Sequence, residues 1–298
     1  MKDRSAVVPP FADNLTRFVL ERAAVRGAVV SLDDAYRDIL ACHAYPSGLQ
    51  RLLGETLAAM CLLANALKFN GSLILQLHGA GTLRLLVVEC DAALCLRATA
   101  QWDGTITDDA LLADVAGAAG GGRMVLTLDP KDGGPLYQGV VALEGGSVAA
   151  LFEHYLAKSE QIESRLWLKA GGGRACGLLL QKMPGAAESD PATWQRAARA
   201  PAAAAAAFEA ADAHTLLAML FPGDDVRAFG ARTPRFGCSC SRERVAGALK
   251  LLGSAEVEGI LAERGTVGVH CEFCNRRYEF DAGEARSLFV APPATAAH

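Results

Sequence analysis

Gly237-Cys238-Ser239-Cys240 is answered about thirty residues later by His270-Cys271-Glu272-Phe273-Cys274. Two close pairs of cysteines, separated by a short insert with a folding pattern of its own, can surround one ion tetrahedrally. The thiolate, not the thiol, is both metal ligand and redox nucleophile. Zinc suits four such donors because it is borderline-soft, takes sulfur at tetrahedral geometry and has no redox chemistry of its own. A Cys-x-x-Cys closed by a second pair at this range is a strong zinc signal; the Cys-x-Cys of the other pair is less common. Other chemistries compete for the same four residues. Two structural disulfides suit a secreted chain, and a thioredoxin-like motif needs a βαβ frame that is missing around Cys271–Cys274. Spacing does not separate a permanent structural ion from one that is lost on demand.

Working outward, the insert and its flanks read as a small α+β unit from about Thr233 to the C-terminus. Ser241 can cap a helix carrying Val245, Ala248, Leu249 and Leu252, which Gly253 ends. Ser254 can cap a second helix with Val257, Ile260 and Leu261 as its apolar face. Thr266–His270 and Arg277–Phe280 read as short strands flanking the second cysteine pair, and Asp281 with Glu284 has capping-box spacing for a last helix. So few large apolar groups hold a separate unit poorly, and an ion has to supply much of the folding free energy, on the order of 10 kcal/mol.

Upstream, residues 181–232 change texture. Pro184–Asp190 is a polar break, Asp190 with Pro191 can open a helix to about Arg199, and Pro201 opens a second. That second helix runs through Ala202–Ala207 to Leu220 and is stopped by Phe221-Pro222-Gly223. Alanine has high helix propensity but little surface to bury, so docking depends on Phe208, Leu216, Met219 and Leu220. The segment reads as a helical linker that lets go readily.

Residues 1–180 carry an α+β core domain. Ala23–Ser31 is a valine-rich strand, and Asp33-Asp34 places acids in the first turn of a short helix. Leu49, Leu52, Leu53, Leu57, Met60, Cys61, Ala64 and Leu67 form the stripe of a longer core helix. Ser72–His78, Thr82–Glu89 and Leu94–Ala100 form an antiparallel meander with short glycine turns, and Arg123–Leu128 and Leu136–Leu143 read as further strands. Gly146-Ser147 opens a helix to about Lys158. Ser164–Leu168 and Ala175–Gln181 then pair across Gly171–Gly173. The cluster Gly117–Gly122 lacks the strand-then-helix frame of a phosphate cradle and reads as a loop. No catalytic constellation stands out. Cys42 and His43 are adjacent and diverge by about 100° on a helix, and His78 and His154 each stand alone. The remaining cysteines, Cys42, Cys61, Cys90, Cys95 and Cys176, read as small buried hydrophobes.

Composition bounds the function. The 298 residues are 51% hydrophobic and 21% charged with a net charge of −4, which describes a globular chain without general attraction for nucleic acid or anionic membrane. The first residues have no apolar signal core and no stretch is long enough to span a bilayer, so a cytoplasmic location with reduced thiols is expected. Arg235, Arg242, Arg244, Arg276 and Arg277 cluster in sequence near the ligands. From Arg232 onward, however, nine Lys/Arg meet eight Asp/Glu. These arginines fit better as solvated charges or as partial offsets to the two negative charges that four thiolates leave on a divalent ion. A zinc-ribbon protein that binds nucleic acid is the alternative from another class.

The chain resembles the heat-shock protein 33 family. The most specific stretches are Arg235-Phe236-Gly237-Cys238-Ser239-Cys240-Ser241-Arg242-Glu243-Arg244-Val245 and Cys271-Glu272-Phe273-Cys274-Asn275-Arg276-Arg277-Tyr278. Leu83–Glu89, Tyr137–Val141, Ser164–Leu168 and Leu220–Val226 also look like the family, in the same order. The resemblance implies a redox-regulated, ATP-independent holdase chaperone of the stress response, not an enzyme. It implies that Cys238, Cys240, Cys271 and Cys274 bind one zinc in the reduced, inactive state. It further implies that oxidants form Cys271–Cys274 and Cys238–Cys240 disulfides and release the ion. The linker is then destabilised, and the chain binds unfolded client proteins as a homodimer, without nucleic acid or membrane as partners.

Overall fold

The computed structural model describes residues 13–21, 24–117, 121–143, 146–183, 191–199, 208 and 212–290. They divide into two compact units, residues 1–237 and 238–298. The class is α+β, with antiparallel pairing throughout except at one short edge.

Two sheets build the first unit. One has five strands in the order β10 (Val226–Ala228), β1 (Asn14–Leu20), β2 (Val25–Leu32), β9 (Arg174–Lys182) and β8 (Ser164–Gly171). The other has six: β11 (Arg235–Phe236), β5 (Cys95–Trp102), β4 (Leu83–Asp91), β3 (Gly71–His78), β6 (Arg123–Pro130) and β7 (Tyr137–Ala142). Alternation in β3 sends Leu73, Leu75 and Leu77 inward, which fixes its register against both neighbours. After α1 (Asp34–Leu40), helix α2 (Ser47–Ala66) packs on β2, β8 and β9 of one sheet and on β3, β4 and β5 of the other. Contact on both sides explains why it is apolar nearly all round: every residue from Thr56 to Ala64 is buried. Helix α3 (Leu112–Ala116) lies between β5 and β6 in the chain, and α4 (Val148–Tyr155) continues into a π-helical turn at Leu156–Glu160.

The five-stranded sheet is buried on both faces. Opposite α2, its side chains Phe18, Leu20, Val25, Val29, Leu178 and Leu180 are covered by α5 (Pro191–Ala198), Phe208 and α6 (Ala213–Leu220). The cover is made by Trp194, Phe208, Leu216, Leu217, Leu220 and Phe221. Trp194 Nε1 also donates to Glu163 Oε1 at 2.7 Å.

The second unit holds α7 (Arg242–Leu252), α8 (Ser254–Arg264), the hairpin β12 (Val267–His270) and β13 (Arg277–Phe280), and α9 (Ala282–Ser287). Its core is small: Leu249, Val257, Leu261, Val267, Tyr278, Phe280 and Ala285.

Several local expectations need correction. Strand β1, the short α3 and the edge strand β10 went unread because each is brief or lacks turn signals. Asp34 lies in the first turn of α1 as expected, but the start of the helix is held from outside it. Asp13, from the start of β1, accepts from Asp33 N at 2.7 Å and Ala35 N at 3.0 Å. Met219 is 48% exposed and does not dock α6, whose cap is Asp212 accepting from Thr215 N at 2.8 Å. Leu252 is 52% exposed, because the short helix α7 turns one narrow face inward at Leu249. Ser254 begins α8 without capping it; Gly253 holds the cap position at φ +99°. The break Pro184–Asp190, the capping by Asp190 and the run Ala202–Ala207 lie outside the described residues.

Glycines give a paired test. A Cβ on Gly48, at the start of α2, would lie 1.9 Å from the Thr107 carbonyl oxygen, which is backbone and cannot step aside. Gly247 in α7 faces nothing within 4 Å. In urea denaturation, Gly48→Ala is expected to lose about 3 kcal/mol. Gly247→Ala is expected to gain about 0.5–1 kcal/mol, by helix propensity and a less flexible unfolded chain.

Candidate metal centre

The chain reaches the cysteines along β11, which lies parallel to β5. Arg235 N donates to Leu94 O and Gly237 N to Leu96 O, both at 3.0 Å. A Cβ at position 237 would meet Cys95 Sγ at 2.4 Å, so a larger residue there would have to displace the Cys95 side chain. Cys238 and Cys240 follow directly and precede Ser241, whose Oγ accepts from Arg244 N at 3.3 Å and starts α7. The second pair sits in the turn of the β12–β13 hairpin. Cys271 O accepts from Asn275 N at 2.8 Å, Cys271 N donates to Arg276 O at 3.0 Å, and Asn275 takes the left-handed φ of +55°. Asparagine tolerates that conformation better than most residues.

These two loops bring the four sulfurs within 4.8 Å of one another. Cys238 Sγ is 3.6 Å from Cys271 Sγ, and Cys240 Sγ is 3.4 Å from Cys274 Sγ. A tetrahedral ion with metal–sulfur bonds of about 2.3 Å needs sulfur edges of about 3.8 Å. The donor set and its spacing therefore fit such an ion, and four close cysteines can hold it.

The protonation of the cluster points the same way. Burial raises the Cys238 thiol, and burial with hydrogen bonding to Cys240 pushes Cys274 up to about 12. Cys240 is the exception. Burial works against its thiolate, but the Tyr278 hydroxyl, donating at 3.0 Å, and the neighbouring thiols bring it down to about 7. Without a cation the sulfurs cannot all be anions; a divalent ion supplies the missing compensation.

Tyr278 was not singled out as part of this site. It belongs to β13, four residues beyond Cys274, and only the hairpin register brings its hydroxyl to Cys240. The arginines expected near the ligands are largely engaged. Arg242 donates to Glu279 O, pairs with Glu284 at 2.8 Å and stacks over Phe280 at 4.1 Å. Arg244 donates to Ser239 Oγ at 2.7 Å, and Arg277 pairs with Glu279 at 3.1 Å.

The other cysteines take no part. Cys61, Cys90 and Cys176 are buried as expected, and Cys90 Sγ donates to Asp91 O at 3.6 Å. Cys42 and Cys95 are only half-buried, a departure from the expectation: Cys42 lies just past the exposed end of α1, and Cys95 begins a strand. The His43 ring lies 5.4 Å from that of Tyr45, tilted by 59°, and Cys42 Sγ donates to Asp38 O at 3.3 Å.

Cobalt(II) titration in competition with a chromophoric chelator tests the centre. Each of Cys238→Ser, Cys240→Ser, Cys271→Ser and Cys274→Ser is expected to weaken binding more than about 100-fold, and Tyr278→Phe about tenfold. Cys42→Ser is expected to leave affinity unchanged.

The family model described as "Hsp33 protein" matches residues 13–281. The 33 kDa chaperonin of Methylobacillus flagellatus is 44% identical over 282 residues, covering 94% of this chain and 95% of that protein. The 33 kDa chaperonin of Chromobacterium violaceum is 44% identical over 280 residues, covering 93% and 94%. The crystal structure of the 33 kDa chaperonin (heat shock protein 33 homolog) of Thermotoga maritima superposes with a TM-score of 0.78 at 20% identity, covering 93% of this chain and 97% of that one, and so shares the fold. Matched along nearly its whole length by the family model and by relatives above 40% identity, the chain belongs to the Hsp33 family.

Proposed function

We propose that this protein is a cytoplasmic, ATP-independent holdase chaperone under redox control, and not an enzyme. In the reduced state Cys238, Cys240, Cys271 and Cys274 hold one Zn²⁺ and the protein is inactive; oxidised, it dimerises and binds unfolded proteins. The observation that carries this reading is the four-sulfur cluster inside 4.8 Å, in a chain whose relatives are named chaperonins. Zinc, when bound, supplies folding free energy on the order of 10 kcal/mol and keeps the sulfurs as thiolates. Seven buried side chains are a small core for the unit they serve.

Oxidation acts on the sulfurs. Two thiolates give two electrons to one peroxide, whose O–O bond breaks; with two protons taken up, one disulfide and two waters result. Two peroxides per chain thus form Cys271–Cys274 and Cys238–Cys240. The second bridge closes a tight ring across one residue and is easily reduced again. Disulfide sulfurs are no longer anionic donors, so residues 233–298 lose their fold and the linker, 181–232, loosens from the core domain, 1–180. What the linker uncovers is apolar: Phe18, Val29, Leu178 and Leu180 lie beneath Trp194, Leu216 and Phe221. That face is the client surface. Arginines bound to Glu279, Glu284 and Ser239 have fewer free donors for phosphates, which favours this reading over nucleic-acid binding.

Two outcomes are expected. Peroxide-treated protein suppresses light scattering by a heat-unfolded client, and each ion released accompanies the loss of four thiols; equal activity of the reduced protein rejects redox control. Leu216→Ala, which thins the cover at α6 by about 2–5 kcal/mol, gives activity without oxidant. An inactive reduced variant with lost amide protection in α6 would place the client surface elsewhere.

A further inference from the structure

Where α2 ends at Ala66, the inner face of the five-stranded sheet opens into a cavity of about 330 Å³. Arg17 of β1, Arg26 of β2 and Lys68, just past α2, line it together with Ala28, Leu179 and Phe229. No Asp or Glu is among its described lining residues, and none of the three cations forms an ion pair among the described residues. The register pairs Val19 with Arg26 and Arg17 with Ala28, so the two arginines are diagonal neighbours on one face, where like charges repel.

Arg26 is held for a purpose other than an internal salt bridge. Its Nε donates to Gln181 Oε1 at 3.0 Å; Gln181, only 2% exposed, donates in turn to Ser164 Oγ at 3.3 Å. This fixes the guanidinium through one donor and leaves its terminal amino groups for another acceptor. Arg17 is steadied beside Phe229, with its guanidinium 5.8 Å from the ring centroid and its carbonyl accepting from Phe229 N at 2.8 Å. Phe229 itself is 40% exposed.

We propose that this cavity binds a small phosphate monoester. The dianionic phosphoryl group engages Arg26, Arg17 and Lys68, and a compact apolar body lies against Ala28, Leu179 and Phe229. Three cations match a dianion better than a single carboxylate, and the guanidinium fork matches phosphoryl oxygens. The volume suits a small molecule. Neither the cysteine centre nor the client surface is involved.

Calorimetric titration of the full-length reduced, metal-loaded protein at low salt tests the assignment, with phenyl phosphate, inorganic phosphate and benzoate as probes. Phenyl phosphate is expected to saturate one site, inorganic phosphate to compete for it more weakly, and benzoate to bind about tenfold or more below phenyl phosphate. Arg26→Gln and the exposed Lys68→Gln are each expected to weaken phenyl phosphate about tenfold or more. Arg264→Gln, in the other unit, is expected to change nothing. No saturation by about 10 mM phenyl phosphate would overturn the proposal. So would unchanged affinity in both cavity variants, or benzoate binding as tightly as phenyl phosphate. Inorganic phosphate binding as tightly as phenyl phosphate would overturn the apolar part of the ligand.

Discussion

Four sulfurs held within 4.8 Å of one another are a problem in electrostatics before they are a site. As thiols they pack as small, weakly polar groups; as thiolates they repel, and only a cation between them removes the conflict. Everything in the second unit is arranged around that choice. Ser241 starts one helix just after the first pair, the hairpin turn presents the second pair, and Tyr278 lends a hydroxyl to the one sulfur that ionises most easily. Among the described residues, the apolar core beside them is seven side chains.

The first unit solves the opposite problem. Its long helix α2 is enclosed between two sheets and needs no charged partner to stay buried. Its five-stranded sheet, though, has two apolar faces, and among the described residues the second is covered by two short helices and Phe208. Local stability varies along one chain in this way, from a thick core to a thin cover.

Much of this is legible in the residues themselves. The alternation of β3 and the heavy stripe of α2 identify their elements because burial on one face or all round leaves a periodic mark. The four clustered cysteines are legible because close cysteine pairs at this range are a strong metal-site signal. What stays hidden depends on distance. Asp13 caps a helix twenty residues away, Tyr278 finds a sulfur through hairpin register, and Arg26 is oriented by Gln181 across a strand. Short edge strands such as β10 carry too few residues to show any period, and their pairing is decided by the sheet that receives them. Met219 and Leu252 show the converse, since a helix of two or three turns docks one narrow face and leaves other apolar groups in water.

The attachments between α6 and Cys238 share one property. β11 is a two-residue margin of one sheet, Arg232 bridges singly to Leu15, and β10 is a three-residue margin of the other. None is an interior rung. A pull beginning at residue 238 would therefore meet them one at a time, as a strip of tape meets its adhesive, and each release would leave the ladder beside it intact. The cover could come away and be laid down again without either sheet having to be rebuilt.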